Sequence, residues 1–204
     1  MIHIVDYGLG NVRAFLNMYN RRGIEARAAS TIGELQAASR LILPGVGAFD
    51  HAMQRLQASG MRDALDELVL KARVPVLGVC VGMQILAASS DEGSAAGLGW
   101  IAGRVRSLRE LPDGGHAPLP HMGWNDVTPS PGALLFAAQP PPLRFYFLHS
   151  FYFECERAED VAATTEYGSS FCCAVGAGNV FGVQFHPEKS HHFGAGLLKA
   201  FAQI

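Results

Sequence analysis

Apolar segments without polar alternation alternate with helical patterns along the first half of the chain. Such segments are typical of strands covered on both faces in a parallel sheet, and they occur at Ile2–Val5, Arg40–Leu43 and Val74–Val79. The helical patterns between them cover Asn11–Arg22, Ala48–Ala58 and Met61–Ala72. A capping box, Thr31-Ile-Gly-Glu34, predicts one further short helix. This strand–helix–strand repetition predicts an α/β fold with right-handed crossovers.

The second half of the chain is typical of strands joined by Pro- and Gly-rich connections. The predicted strands are Ala102–Leu108, Phe145–His149, Val161–Tyr167, Cys172–Val175 and Val180–Gln184. A last helix is predicted over His192–Ala202, and Arg109–Pro118 is predicted to be a mobile loop. We therefore expect one domain over residues 1–204, in which an antiparallel β portion extends a central, mostly parallel sheet.

Composition and charge exclude several classes of protein. The 204 residues are 49% hydrophobic and 17% charged, which is ample for a sizeable core and far too apolar for a disordered chain. The formal net charge of −2 disfavours a nucleic-acid-binding protein. No stretch approaches the ~18 apolar residues of a membrane helix. No targeting segment is visible, so the expected location is a reducing cytosol.

The cysteine and histidine spacings give no sign of a metal centre. The four cysteines stand at positions 80, 155, 172 and 173, and no pair has the CxxC spacing of a zinc site. Spacing also argues against a secreted disulfide framework. His186, His191 and His192 form a local cluster, but we expect His191 and His192 to precede or cap the last helix, and we expect no metal.

The strongest local motif joins a strand to a helix around Cys80. An apolar strand runs into Gly78-Val-Cys80-Val-Gly82, and a helical pattern follows over Met83–Ala88. This is the thiol form of the nucleophile elbow, in which a sharp turn strains the nucleophile's backbone and bulky neighbours would clash. The turn places Cys80 at the carboxyl end of the sheet, where the Val81 N–H can face an oxyanion. A buried structural cysteine fits the same pattern, so the motif alone leaves both interpretations open.

A second strand delivers a candidate base near the end of the chain, in Phe181-Gly-Val-Gln-Phe-His186-Pro-Glu188. On an extended segment His186 and Glu188 share a side. Pro187 favours the extended conformation for the residue before it. The carboxylate can then orient the imidazole, while the imidazole activates a thiol from another strand.

These two motifs resemble the signatures of the triad-type, class I glutamine amidotransferases. Four further segments resemble, more narrowly, the glutaminase subunits of imidazole glycerol phosphate synthase: Val5-Asp-Tyr-Gly-Leu-Gly-Asn11, Leu43-Pro-Gly-Val-Gly-Ala-Phe49, Pro120-His-Met-Gly-Trp-Asn125 and Tyr146-Phe-Leu-His-Ser150. The resemblance runs from residue 2 to about residue 203. It implies a flavodoxin-like, three-layer α/β fold with a central, mostly parallel sheet and an antiparallel β extension.

The resemblance also implies a role for each matching position. Cys80 matches the nucleophile, His186 the general base and acid, and Glu188 the residue that orients His186. The oxyanion hole is matched by backbone N–H groups of Val46, Gly47 and Val81. The positions that match the glutamine-binding residues are Gln84, Glu92, His149 and Ser150. No metal or organic cofactor is implied.

A partner follows from the same resemblance. It is a (β/α)₈-barrel cyclase subunit that receives ammonia through a channel and makes imidazole glycerol phosphate and an aminoimidazole carboxamide ribotide in histidine biosynthesis. The positions that match the heterodimer interface are Asn11, His121, Met122, Trp124 and Lys189. We expect weak glutaminase activity from the isolated chain, because the oxyanion loop needs the partner to align it.

Three alternatives stay open. The segment Phe151–Cys155 departs from the form usual in histidine-pathway subunits. It resembles paralogues that supply ammonia for sugar-nucleotide amidation in surface-polysaccharide biosynthesis. A γ-glutamyl hydrolase or another thiol hydrolase of the same architecture would share the elbow but would not need Pro120–Asn125. A catalytically idle binding subunit would share the fold, although an intact set of Cys80, His186 and Glu188 argues against it.

Overall fold

The computed structural model describes residues 1–112 and 117–204. The strands of this part of the chain are β1 (Ile2–Val5), β2 (Ala26–Ala29), β3 (Arg40–Gly45), β4 (Val76–Cys80), β5 (Ser89–Ser90), β6 (Gly103–Ser107), β7 (His121–Pro129), β8 (Leu143–His149), β9 (Phe151–Cys155), β10 (Val161–Tyr167), β11 (Ser169–Ala177) and β12 (Val180–Val183). Its α-helices are α1 (Val12–Asn20), α2 (Ile32–Leu35), α3 (Phe49–Ala58), α4 (Arg62–Asp66), α5 (Val81–Gln84) and α6 (His191–Phe201).

The main sheet has a parallel half and an antiparallel half. In the described residues its strand order is β2-β1-β3-β4-β12-β11-β10-β7-β8. The pairings from β2 to β12 are parallel, and those from β12 to β8 are antiparallel. A smaller sheet, β5-β6-β9, lies beside it. The expected parallel α/β core with an antiparallel extension is confirmed.

The apolar runs of the sequence became the buried centre of the parallel half. All four residues of β1 and all five of β4 are buried, as expected for strands covered on both faces. The capping box is also confirmed, since Thr31 accepts from the Glu34 N–H and the Glu34 carboxylate accepts from the Thr31 N–H. None of the described helices is long and apolar enough to cross a membrane.

The helix expected after the elbow is wrong in both position and length. The structure places α5 at Val81–Gln84 instead of Met83–Ala88. The helix ends early because a neighbouring loop donates hydrogen bonds to the carbonyl groups that follow Gln84. The N–H groups of Leu98 and Ile101 donate to the oxygens of Ile85 and Leu86.

Other elements differ from the sequence predictions for local reasons. The helix predicted over Met61–Ala72 splits into α4 and a π-helical turn, Glu67–Lys71. Two strands, β2 and β7, carry too few β-branched and apolar residues to be predicted from pattern. The loop expected over Arg109–Pro118 begins inside a 3₁₀ turn, Leu108–Glu110, and residues 113–116 lie outside the described residues.

Candidate active site

Cys80 ends β4 in the strained conformation that the elbow motif predicts. Its φ of 55° and ψ of −115° lie where few non-glycine residues are found, and its side chain is almost fully buried. The flanking glycines are required by contact. A Cβ at Gly82 would overlap the carbonyl oxygen of Leu43, and one at Gly45 would overlap the backbone N of Gly82. Close backbone packing of β3 against α5 therefore holds the turn.

The structure brings most of the candidate residues to one pocket of about 280 Å³. The sequence-predicted residues that line it are Val46, Gly47, Cys80, Val81, Gln84, Glu92, His149, Ser150, His186 and Lys189. They come from the carboxyl ends of β3, β4 and β8, from α5, from the loop after β5 that carries Glu92, and from the segment after β12. This is the edge at which open α/β sheets bind ligands.

Glu188 lies behind His186 and holds its ring. The Nδ1 of His186 is 2.8 Å from Oε1 of Glu188, and both side chains are about 6% exposed. His186 is extended, as Pro187 predicts, but Glu188 belongs to a 3₁₀ turn, Pro187–Lys189. The expectation of an extended segment through Glu188 is therefore wrong, and the turn brings the carboxylate back to the ring instead.

The charge state of His186 is set by opposing effects. Burial opposes the charged ring, but interactions with Cys80 and Glu188 outweigh it and raise the pKa of His186 to about 9. An imidazolium is thus available at neutral pH next to the sulfur of Cys80. A proton donor and a sulfur nucleophile then stand together in the pocket.

Gln184 is a site residue that sequence reasoning missed. Its Nε2 lies 3.8 Å from Sγ of Cys80, and its Oε1 accepts from Nε2 of Gln84 at 3.1 Å. The side chain is fully buried within the apolar segment that leads to His186. A glutamine inside an apolar strand was the available signal, because a buried amide needs hydrogen-bond partners.

The loop after β3 is tied to the start of the chain. The hydroxyl of Tyr7, itself buried, donates to the carbonyl oxygen of Pro44 at 2.7 Å. Gly47 has a φ of 89°, a left-handed conformation that favours glycine. Val46 is exposed at the mouth of the pocket. The segment Asp6–Asn11 therefore supports the loop that lies beside Cys80.

Two carboxylates shape the neighbouring loop. Oε2 of Glu92 accepts from the Phe49 N–H at 2.9 Å. Asp50 accepts from the N–H groups of Ser94 and Ala95, and these bonds lower the pKa of Asp50. The loop that carries Glu92 is thereby fastened to the first turn of α3.

On another side of the pocket, His149 lines the wall and contacts a second buried histidine, His121, behind it. Nδ1 of His121 lies 2.9 Å from Nε2 of His149, whose Nδ1 lies 2.8 Å from the carbonyl oxygen of Phe151. Burial lowers the pKa of His121 to about 4 and that of His149 to about 3. Both rings are therefore neutral at pH 7.

The predicted interface residues occupy different environments. Met122 is 64% exposed and Trp124 39% exposed, and the Trp124 ring stacks on His191 at 5.4 Å. Lys189 is exposed above the Tyr146 ring. Asn11 is exposed, and its side chain caps α1 by accepting from the Ala14 N–H.

His121 differs from these four, because its side chain is only 3% exposed. Direct contact between its ring and a partner is therefore not available in this structure. The reason is the inward direction of its position on β7, where the ring packs between Phe147 and Tyr167.

The other cysteines are structural in character. Cys172 and Cys173 are buried, and burial raises the pKa of the Cys173 thiol. Cys155 is partly exposed, with its sulfur 4.0 Å from that of Cys172. Among the described residues no group of three His, Cys, Asp or Glu side chains is arranged to hold a metal ion.

Comparison with known proteins decides the family. A model of the class-I glutamine amidotransferases matches residues 3–203. The chain belongs to that family. The amidotransferase signatures expected around Cys80 and His186 thus lie in a chain that the family model covers almost entirely.

Relatives of this amidotransferase cover it from end to end. A protein of Bdellovibrio bacteriovorus named imidazole glycerol phosphate synthase subunit HisH is 58% identical over 204 residues, with all of both chains covered. A protein of the same name from Leptospira interrogans is 49% identical, again over all of both chains. A Pseudomonas aeruginosa protein named imidazole glycerol phosphate synthase subunit HisH 2 is 45% identical with the same coverage.

Solved structures agree on the fold. PurLQS from Thermotoga maritima has a TM-score of 0.74 at 17% identity, covering 99% of this amidotransferase and 97% of that chain. A glutamine amidotransferase from the same organism has a TM-score of 0.63 at 18% identity, covering 99% of this amidotransferase and 82% of that chain. At these identities the similarity concerns the fold alone.

Proposed function

We propose that this amidotransferase is the glutaminase subunit of an imidazole glycerol phosphate synthase in histidine biosynthesis. It hydrolyses glutamine to glutamate and ammonia and passes the ammonia to a (β/α)₈-barrel subunit. The observation that carries the activity is the meeting of Cys80 and His186 in one pocket, with Glu188 hydrogen-bonded to His186. The pathway is supported by three relatives, at 58%, 49% and 45% identity, that are all named as subunits of this synthase.

The reaction uses Cys80 as the nucleophile. Its sulfur, whose proton His186 has taken, attacks the side-chain carbonyl carbon of glutamine, and negative charge develops on the carbonyl oxygen. The N–H of Val81 and an N–H of Val46 or Gly47 hold that oxyanion, since all three residues line the pocket beside the sulfur. His186 gives its proton to the departing nitrogen, the C–N bond breaks, and a γ-glutamyl thioester is left on Cys80.

Water completes the cycle. His186, now neutral, removes a proton from the attacking water, the C–S bond breaks, and the protonated His186 and the Cys80 sulfur of the first step are restored. The new carboxyl group of the product loses its proton to water, which gives glutamate. Glu188 holds the His186 ring and stabilises its charged form in both steps. No step requires a metal or an organic cofactor.

The remaining pocket residues hold the glutamine. Glu92 supplies a carboxylate for the α-ammonium group, and Gln84 lines the same pocket with its amide nitrogen donating to the Phe151 carbonyl and to Oε1 of Gln184. Because residues of both sheets line this one pocket, we propose that residues 1–204 act as a single amidotransferase domain.

The partner covers the face that carries Met122, Trp124 and Lys189, with Asn11 at the interface as well. Exposed apolar side chains beside the pocket mouth support this placement. His121 acts at this interface only from beneath it, because its ring is buried. We place the complex in the cytoplasm and expect weak glutaminase activity until the partner aligns the loop at Val46 and Gly47.

One experiment tests the pathway and the partner together. The chain is mixed in turn with a barrel subunit encoded beside histidine-biosynthesis genes and with one encoded beside surface-polysaccharide genes. We expect glutamate release to rise strongly with the first, in the presence of its ribotide acceptor, and not with the second. Stimulation by the second alone would support sugar-nucleotide amidation. Faster cleavage of γ-glutamyl peptides than of glutamine would support a γ-glutamyl hydrolase.

A further inference from the structure

A chain of hydrogen bonds runs inward from the surface of β7 to the pocket wall. Nδ2 of Asn125 is 3.2 Å from Nε2 of His121, and Nδ1 of His121 is 2.9 Å from Nε2 of His149. Nδ1 of His149 is 2.8 Å from the carbonyl oxygen of Phe151. Gln84 donates to that same oxygen at 3.3 Å. This series of hydrogen bonds thus ends on the Phe151 carbonyl and the side chain of Gln84, two residues that line the pocket.

Backbone groups fix the direction of every bond in this chain. The carbonyl of Phe151 can only accept, so Nδ1 of His149 must carry a hydrogen. A neutral His149 ring then has a bare Nε2, which must accept from a hydrogen on Nδ1 of His121. The bare Nε2 of His121 in turn accepts from an amide hydrogen of Asn125.

The outer end gives the same direction independently. The Asp126 N–H donates to Oδ1 of Asn125 at 2.8 Å, and Nδ2 of Asn125 donates to the carbonyl oxygen of Glu166 at 2.7 Å. The amide of Asn125 therefore cannot be turned over, and it presents its nitrogen to His121. The two ends of the chain, at Asn125 and Phe151, thus require one and the same arrangement of protons.

The surroundings keep the rings in place and uncharged. The His121 ring stacks on Tyr167 at 4.1 Å and on Phe147 at 4.6 Å. Burial lowers the pKa of both rings far below neutral pH. A second N–H proton on either ring would have no acceptor in this series of hydrogen bonds. All of the bonds can therefore form together only when both rings are neutral.

We propose that His121 and His149 are positioning residues: a neutral relay, set by Asn125, that fixes the Phe151 carbonyl and Gln84 for glutamine binding. The proposal rests on the proposed glutaminase function. Asn125 belongs to the same strand as Met122 and Trp124, so the outer end of the relay begins on the strand that forms the proposed partner interface. A change at that interface that moves Asn125 would reach the pocket through the hydrogen bonds of His121 and His149.

The first test is spectroscopic and does not depend on activity. Histidine-selective ¹H–¹⁵N correlation spectra of the full chain at pH 7 report which ring nitrogen carries the hydrogen. We expect the Nδ1–H form for both His121 and His149. An Nε2–H form or a doubly protonated ring at either position would overturn the relay.

The second test reverses the relay with one substitution at the half-buried Asn125. In Asn125→Asp the carboxylate can only accept, so Nε2 of His121 must carry a hydrogen. Because burial keeps both rings neutral, Nδ1 of His121 is then bare, and His149 must carry its hydrogen on Nε2. Nδ1 of His149 and the Phe151 oxygen then face each other as two acceptors. We expect both rings to change to the Nε2–H form. We also expect KM for glutamine in the complex to rise about tenfold, with kcat within about threefold, the cost of one misplaced hydrogen-bonding group.

Matched variants separate positioning from stability. Asp126→Asn makes the reverse change one residue along, where the side chain pairs with Arg144 at the surface, and it should leave KM unchanged. His121→Phe keeps the stacking and should raise KM, whereas His121→Asn keeps an N–H near Nδ1 and should restore part of the loss. A fall in melting temperature with KM unchanged in Asn125→Asp and His121→Phe would overturn the proposal. Absence of glutamate release by the wild-type complex would instead refute the proposed function and leave the spectroscopic result standing.

Discussion

Two walls of the pocket are held by different forces. The elbow wall, formed by Cys80 to Gly82 against β3, is held by backbone atoms in direct contact, at glycines where no Cβ fits. The polar wall, formed by His149 to Phe151, is held by side-chain hydrogen bonds. Steric contact fixes the nucleophile without adjustable parts. Hydrogen bonds fix the polar wall, and in these bonds a histidine ring can exchange the nitrogen that donates for the one that accepts.

This difference predicts how each wall responds to mutation. Changes in the elbow wall should remove the fold or the chemistry outright. Changes in the polar wall should alter glutamine binding while the chain stays folded. Glu188 and Tyr7 support groups beside the nucleophile from outside both walls, so changes there should impair the chemistry with a smaller loss of stability than a change in the elbow wall.

The largest effect is expected from Gly82→Ala. The new Cβ overlaps the Leu43 carbonyl oxygen, and neither backbone can move cheaply, so the free energy of unfolding should fall by about 4 kcal/mol or more. Thermal denaturation measures this. Gly33→Ala is the matched control, because Gly33 also lies in a four-residue helix and no atom lies within 4 Å of the new Cβ. A loss for Gly82→Ala no greater than that of the control would refute steric control of the elbow.

Glu188→Gln should spare the fold and impair the chemistry. Loss of the carboxylate leaves His186 poorly oriented and less basic, and kcat should fall by about 10²–10⁴. In the wild type, activity should decline as the pH rises through about 9, where His186 loses its proton. In Glu188→Gln this decline should move to lower pH. Glu156→Gln, an exposed position, is the control, and equal pH profiles for all three proteins would contradict the assigned role.

The same pairing makes a testable contribution to stability. The folded-state pKa of His186 lies above its ordinary value of 6.5, so the charged ring stabilises the fold fully below about pH 6.5. That contribution is lost as the pH rises from there through about 9. The difference in melting temperature between the wild type and Glu188→Gln should therefore shrink over this interval. A constant difference would show that Glu188 acts through packing alone.

The smallest effect is expected from Tyr7→Phe. It removes one hydrogen bond to Pro44, so the free energy of unfolding should fall by about 1 kcal/mol. Tyr19→Phe removes an equivalent buried bond, to Leu198, and should cost about the same. Only Tyr7→Phe should also lower kcat several-fold, because only that bond supports the loop beside Cys80. Equal kcat in the two variants would show that the Tyr7–Pro44 bond does not support the loop beside Cys80.

The elbow wall could be predicted from local sequence patterns. The polar wall could not, because it depends on the pairing of strands that are distant in sequence. The role of Cys80 was predictable because the glycines and the strand of the motif lie within a few residues of it. The buried parallel strands were predictable from their unbroken apolar sequences. His121 meets His149 only because β7 and β8 pair with these two residues opposite each other. Nothing within β7 itself indicates that register. The shortness of α5 likewise depends on hydrogen bonds from a loop more than ten residues away.

The central claim is that Cys80 forms the γ-glutamyl thioester. The most direct measurement incubates the chain and its barrel partner with a diazoketone analogue of glutamine and locates the label by peptide mass spectrometry. The account predicts one label on Cys80, none on Cys155, Cys172 or Cys173, and no glutamine hydrolysis by Cys80→Ala. A label elsewhere, or a Cys80→Ala variant that still releases glutamate, would contradict it.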